Sequence, residues 1–449
     1  MRIHLIAIGG AVMHNMAMAL HNKGFQITGS DDEIFEPSRS RLESYGLLPE
    51  KQGWDPGQIT PELDGIILGM HAREDNPELL RARELGIRIW SFPEYIYEQS
   101  RDKKRVVIGG SHGKTTVTSM IMHVLWYNHY PFDYMVGSQL EGFETMVKLT
   151  KDAPVIILEG DEYLSSPIDP RPKFHLYHPH IALITGIAWD HMNVFPEFDI
   201  YLEQFREFVR HVDVNGKLFW YREDPYLKSI SENCKAESLS YGTHPYSIKD
   251  GKTFLLHEGE LTEVPVFGNH NMQNISAALL VCRELGLTDD QFYEAISSFR
   301  GAAKRQEILA ESETRKVYLD FAHAPSKVRA TVNSFRENFP GKKLIACLEL
   351  HTFSSLNQAF LPQYAASLDE ADVAIVFFNP EVVKHKKLPP LDPEFIKSCF
   401  GRKDLKLFND REELENYLLS LDLDGIYLLM SSGNFSGLEL KNIASRIAG

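Results

Sequence analysis

Short apolar runs that alternate with longer helical patterns constrain this chain more than any other feature of its sequence. Ile3–Ile8, Phe25–Gly29, Gly65–Gly69 and Arg88–Trp90 read as strands, with helices over Val12–Lys23 and Pro77–Leu85. The rhythm returns with strands at Val106–Ile108, Val155–Leu158 and Ile181–Thr185 and a helix beginning at Lys114. It returns again at Val317–Leu319, Leu344–Leu348, Val373–Phe377 and Ile426–Met430. Strands spaced by helices predict parallel sheets covered on both faces, so the fold class is α/β. Between the second and third blocks, the segment past residue 215 is turn-rich and strand-like, and a helical run Asn271–Leu285 follows it.

A chain of 449 residues holds about two to four domains at roughly 100–200 residues each. Charged stretches at Arg101–Arg105 and Arg300–Arg305 mark the linkers, giving domains 1–105, 106–302 and 303–449. An apolar fraction of 43% excludes a disordered chain. The balance of 47 Lys+Arg against 62 Asp+Glu, a net −15, excludes a general nucleic-acid binder. Four cysteines form no C-x-x-C pair, which suits a reducing compartment. The opening residues make no signal-peptide core, and no run approaches the ~20 apolar residues of a membrane helix. A cytoplasmic protein without membrane insertion is the expectation.

The chemistry is expected where strands end. Gly110-Ser111-His112-Gly113-Lys114-Thr115-Thr116 follows an apolar strand and opens a helix. Such a loop turns backbone N–H groups and a helix N-terminus toward phosphate oxygens. Lys114 would reach the β/γ-phosphates and the Thr115 hydroxyl would ligate Mg²⁺. Ile108 stands where the strict G-x-x-x-x-G-K-[ST] pattern has its first glycine, so the loop is a shortened variant. The run Val155–Leu158 delivers Glu159 to the strand end where open α/β sheets bind ligands, a natural Mg²⁺ ligand. His191, past the strand at Ile181, would emerge at the same edge. In the first domain, Ile8-Gly9-Gly10-Ala11-Val12-Met13-His14 is Rossmann-like only in part, since His14 stands where G-x-G-x-x-G requires glycine. An NAD site is therefore poorly supported. The helix N-terminus over Gly9-Gly10 could take a diphosphate, and Asp31, after Ser30, stands about where a ribose-binding acid would.

Together these elements resemble the Mur ligase family, the ATP-dependent amide-forming enzymes of peptidoglycan assembly. The family's G-T-x-G-K-T-T is matched over Gly110–Thr116 with Ser at the second place, and its E-x-D-E over Glu159–Glu162. Its D-H-M-D is matched over Asp190–Asn193 with Asn at the last place, and its G-x-H-N-x-x-N-x-x-A-A over Gly268–Ala278. Lys304-Arg305 resembles its arginine linker. The resemblance implies a Rossmann-like UDP-sugar domain, a central P-loop-type ATP-binding domain and a Rossmann-like C-terminal domain that brings the amine.

By carry-over, Lys114 holds phosphate, Thr115 and Glu159 hold Mg²⁺, and His191 serves a second Mg²⁺. Asn271 and Arg305 would contact ATP, with Asp320 near the nucleotide. Gly9, Gly10, Ser30 and Asp31 would serve the UDP-sugar, and His323, Ser326 and His351 the amine. The carbamylated lysine of several members falls near Arg206, so that modification is not expected.

Within the family, the opening motif, Gly29-Ser30-Asp31 and Lys173–Pro179 resemble the branch that joins UDP-N-acetylmuramate to L-alanyl-γ-D-glutamyl-meso-diaminopimelate in peptidoglycan recycling. The alanine-adding branch is the alternative. Ala324 replaces a second His, and Glu349-Leu350-His351 departs from the E-P-R or Q-P-H of these branches. With Ser326, Ser354 and Ser355 also small, a wide polar amine pocket is the expectation. A nucleotide-binding regulator on the same fold is the non-enzyme alternative, opposed by the intact Lys114, Thr115, Glu159 and His191.

Overall fold

The computed structural model describes every residue except 141, 190–193 and 302–304. The chain forms two compact bodies, one of residues 1–187, 197–242 and 277–292, the other chiefly of 243–276 and 293–449. Both are α/β, as the alternating pattern predicts.

Besides a two-stranded antiparallel ribbon, Leu164–Ser166 with Asp169–Pro172, the first body holds two larger sheets. One is fully parallel, in the order Gln26–Ser30, Arg2–Ile6, Gly65–Leu68, Ile89–Ser91. Its first strand stops at Ile6 rather than Ile8, because Ala7 takes a positive φ of 67°. The amides of Ala7 and Ile8 then both turn onto the Ser30 carbonyl, at 2.9 and 3.0 Å. The other sheet has seven strands, in the order Glu237–Tyr241, Lys217–Tyr221, Ile181–Ile184, Lys104–Gly109, Val155–Glu159, Phe132–Met135, Val147–Lys148. All neighbours run parallel except the last pair. Its central strands are apolar and buried along their length, as a sheet covered on both faces requires.

Two residues of the charged stretch before Val106 are interior, while Arg101, Asp102 and Lys104 are exposed. Lys103 is 3% exposed; its ammonium pairs with Asp133 at 3.2 Å and donates to the carbonyls of Thr150 and Ala153. Arg105 is equally interior and donates to the carbonyls of Tyr177, His178 and Ser100. Long cationic side chains can enter a core when carbonyls and a carboxylate saturate their donors.

The second body carries an antiparallel meander, Tyr246–Lys249, Lys252–His257 and Glu260–Val264. Its main sheet orders Glu307–Glu311, Arg315–Asp320, Gly425–Met430, Lys343–Leu350, Val373–Phe378, Lys406–Phe408. Along the central strand, Leu344, Ala346, Leu348 and Leu350 join one apolar cluster, while Ile345 and Cys347 join another. That period-two split is what two helical layers on one sheet produce. The sequence reading of an all-parallel third unit needs one correction. Glu307–Glu311 runs antiparallel to Arg315–Asp320, since the turn between them is far too short for a parallel crossover. Among the described residues, no helix is long and apolar enough to cross a membrane.

Removing one partner of a buried ion pair leaves the other uncompensated and costs about 3–5 kcal/mol. Lys103→Met is therefore expected to lower the urea midpoint of the first body by about that much stability. An unchanged midpoint would show that Thr150 alone satisfies Asp133, to which it donates from both N–H and hydroxyl.

Candidate functional site

Register brings the first group of residues together. In the seven-stranded sheet, Ile108 lies opposite Glu159 and Gly109 opposite Ile184. The strand Lys104–Gly109 thus ends beside both neighbours, and the chain turns through residues 110–113 into the helix Lys114–Tyr127. Two glycines make the turn possible. Gly110 has φ 124°, and a Cβ there would stand 2.2 Å from the Thr185 hydroxyl; Gly113 caps the helix in the left-handed region at φ 76°. Thr185 donates to the His112 carbonyl, and the Ser111 amide donates to the Gly186 carbonyl at 2.9 Å.

Around this loop the side chains are charge-matched. The Lys114 ammonium lies 2.6 Å from both a Glu162 carboxylate oxygen and the Gly110 carbonyl. Burial pulls its pKa down, but the carboxylates of Glu162, Asp161 and Glu159 outweigh that and hold it above the usual lysine value. Glu159, 9% exposed, accepts the Thr115 hydroxyl at 2.8 Å and the Gly137 amide at 2.9 Å. Thr115 and Glu159 present oxygen donors only, the set a hard divalent cation takes when water and phosphate supply the rest. Among the described residues, no group of three or more His, Cys, Asp or Glu is arranged to hold a metal. The expected contribution of His191 lies outside the described residues, as does Lys304.

The first-domain candidates gather at the end of the four-stranded sheet. Asp31 accepts the Gly9 amide at 2.8 Å, and Gly10 precedes the helix Ala11–Asn22. Ser30 is 1% exposed and its hydroxyl donates to Glu78, which is itself buried and also accepts the Asp55 amide at 2.7 Å. His14, in the place of the missing glycine, is buried against Ser38 and the Gly10 carbonyl.

The second body assembles a third group. Asn271, near the start of the helix Asn269–Glu284, donates to the Gln306 side chain at 3.1 Å. The Gln306 amide donates to Asp320 at 3.0 Å, and Asp320 also accepts the Ala322 amide and the Thr331 hydroxyl. Burial pushes the Asp320 carboxyl up, with Arg305 and these donors opposing. Arg305 stacks its guanidinium over Phe321 at 5.4 Å. Asn271, Arg305 and Asp320 are therefore neighbours through Gln306. His323 packs its ring edge-on against Phe321, and Ser326 is exposed on the helix Pro325–Asn338. His351 lies 3.7 Å from the buried Glu349 at another strand end. Ser355 is not open to a ligand as a small polar wall would be, because it is buried and bonded to Thr352.

Sequence reasoning missed Tyr201 and Gln306. Tyr201 donates to Glu162 at 2.9 Å and bonds the Ser111 hydroxyl at 2.8 Å, yet sits among other aromatics on the amphipathic helix Phe198–Arg210 with no motif to mark it. Gln306 had one signal, its place next to Arg305.

Three family models match the chain in succession: Mur ligase family, catalytic domain, over 2–104; Mur ligase middle domain, over 108–282; and Mur ligase, glutamate ligase domain, over 304–433. A UDP-N-acetylmuramate–L-alanine ligase of Syntrophomonas wolfei is 30% identical, the alignment covering 98% of this chain and 96% of that protein. A UDP-N-acetylmuramate–L-alanyl-γ-D-glutamyl-meso-2,6-diaminoheptandioate ligase of Escherichia coli is 28% identical, over 98% of this chain and 97% of that protein. Among solved structures, a murein peptide ligase from Psychrobacter arcticus superposes with TM-score 0.68 at 20% identity, over 100% of this chain and 99% of that one. The UDP-N-acetylmuramate-alanine ligase of Thermotoga maritima gives TM-score 0.71 at 22% identity, over 97% and 96%. These two likenesses are of fold.

The pH response of the first sheet edge is checkable. Burial, then the neighbouring Asp32, raises the Asp31 carboxyl to about 6 against the pull of the Gly9 amide. A carboxyl raised on folding stabilises fully below its unfolded value near 4, and that contribution is lost as pH rises through about 6. Asp31→Asn is expected to flatten the wild-type fall in denaturation midpoint between about pH 4.5 and 7.5. Parallel curves for the two proteins would overturn the assignment.

Proposed function

The chain belongs to the Mur ligase family, an ATP-dependent ligase, and we propose that it joins UDP-N-acetylmuramate to the tripeptide L-alanyl-γ-D-glutamyl-meso-diaminopimelate. What carries the reading is the phosphate loop with Lys114, Thr115 and Glu159 drawn together at one sheet edge, in a chain whose relatives align end to end. The proposed roles follow from chemistry. The muramate carboxylate attacks the γ-phosphorus of ATP, the bond to the bridging oxygen breaks, ADP leaves, and an acyl phosphate forms. The peptide amine then attacks the acyl carbon, loses a proton and expels phosphate, leaving the amide. Catalysis of this kind is mostly positioning and neutralisation of charge.

Lys114 supplies the cation fixed beside the transferring phosphoryl group, and the amides at the start of its helix supply further donors. Thr115 and Glu159 would hold Mg²⁺, which when bound neutralises charge on the phosphates. Asn271, Arg305 and Asp320 are assigned to the nucleotide on the second body, and His323, Ser326 and His351 to the amine. UDP-N-acetylmuramate is assigned to the first-domain edge, its diphosphate at Gly9-Gly10 and its uridine toward Asp31. With the Ser30 hydroxyl engaged by Glu78, that segment would meet a ligand through its backbone.

The relative at 30% identity keeps L-alanine as a second reading for the amine. An alanine site must exclude larger amines by closure over one methyl group, since a single small apolar group is worth only ~1–3 kcal/mol of selection. In this chain Ala324 stands beside His323 where a second bulky ring would help such closure.

Phosphate release with ATP, Mg²⁺ and UDP-N-acetylmuramate, measured with L-alanine, dipeptide and tripeptide in turn, tests the reading. The tripeptide is expected to be used far more efficiently than L-alanine; turnover with L-alanine alone transfers the enzyme to the second reading, and none with any amine favours a regulator. Lys114→Ala is expected to lower kcat by about 10²–10³-fold, assayed below its thermal midpoint, which is expected to fall because Glu162 is left without its ammonium partner. Wild-type turnover in that variant would remove the nucleotide site from this loop.

A further inference from the structure

Two of the three N–H donors of Lys114 are spoken for, one by the Gly110 carbonyl and one by Glu162, both at 2.6 Å. Glu162 is itself held. Its side chain is 1% exposed, and its other oxygen accepts the Tyr201 hydroxyl at 2.9 Å. An ionised carboxylate can only accept. Tyr201 donates its single proton to Glu162, and its hydroxyl oxygen lies 2.8 Å from that of Ser111, placed to accept from it. A chain of hydrogen bonds thus joins the second residue of the phosphate loop, an aromatic on another helix and the lysine at the loop's end, with Tyr201 and Lys114 both donating to the buried Glu162. It directs the ammonium while partly cancelling its charge.

We propose that Glu162 is a positioning residue for Lys114, braced by Tyr201, which aims the remaining N–H of the ammonium and tempers its attraction for bound nucleotide. The inference rests on the reading that Gly110–Thr115 receives the phosphates of ATP. Its physical content is a trade between ground state and transition state. A carboxylate beside the phosphates repels them in every bound state, whereas a well-aimed cation counts most where charge is moving. Taking away the carboxylate's charge therefore strengthens nucleotide binding and slows the reaction. General damage to a buried network does the opposite to binding, which makes the split diagnostic.

The experiment measures ADP binding by calorimetry and ligase kcat for the full-length wild type, Glu162→Gln and Tyr201→Phe. Glu162→Gln keeps the shape and an acceptor oxygen but replaces a charge-assisted bond with a weaker neutral one. It is expected to bind ADP about three- to tenfold more tightly and to lose at least about tenfold in kcat. Tyr201→Phe keeps the charge and removes the brace, so ADP affinity is expected to stay within about twofold while kcat falls several-fold. Equal or weaker ADP binding by folded Glu162→Gln, with wild type binding normally, overturns this inference and leaves the ligase reading standing. Should Glu162→Gln not fold, an undiminished kcat in Tyr201→Phe overturns it instead. Failure of the wild type itself to bind ADP overturns the nucleotide reading of the loop and this inference with it.

Discussion

The register of Lys104–Gly109 between its two parallel neighbours is the constraint on which the central site depends. Sliding that strand by one residue would turn its apolar side chains to the wrong faces, so two buried faces lock the alignment. Once locked, three strand ends are level, and Glu159, Thr185 and the loop from Gly110 arrive at one edge without further design. The glycines then decide how closely the edge closes. A side chain at Gly110 would strike Thr185, whose hydroxyl ties the His112 carbonyl and so shapes the loop from outside.

Charge is handled in the same local way. The chain carries a net −15, yet the described acids near the loop are each matched to a specific donor: Glu159 to Thr115 and Gly137, Asp161 to Lys173, Glu162 to Lys114 and Tyr201. An acidic protein can thus present an edge suited to an anion, because backbone amides and one partly buried cation act at short range while the net charge is screened over ~10 Å. The second body solves an equivalent problem differently. Asp320 is satisfied by two backbone amides and a hydroxyl, and Gln306 links it to Asn271.

Much of this was legible in the sequence, for identifiable reasons. Parallel strands buried on both faces give unbroken apolar runs, so Val155–Leu158 and Leu344–Leu348 announce themselves. The strand-to-helix turn over Gly110–Gly113 was legible because its residue types are conformationally demanding at fixed spacing. Antiparallel edges such as Val147–Lys148 and Glu307–Glu311 were not, being short and only half apolar. Nor was the interior position of Lys103 and Arg105. A run of basic residues reads as solvated, and only the folded chain shows which carbonyls wait to receive them. Tyr201 and Gln306 were invisible for a third reason. Each acts through one polar atom whose partner is distant in sequence, and a single chain carries no pattern for that.

The same distance sets an order of assembly. Ser111 and Tyr201, adjoining links of the buried hydrogen-bond chain, are 90 positions apart. At roughly 5–20 residues per second, synthesis delivers the second about 5–18 s after the first. Throughout that interval the nascent loop carries its lysine without the brace, and for most of it also without the strand Ile181–Ile184 that later flanks it. The loop edge of the central sheet is therefore begun early and finished late: its glycines and lysine are made first, and the contacts that fix them wait until synthesis has passed residue 201.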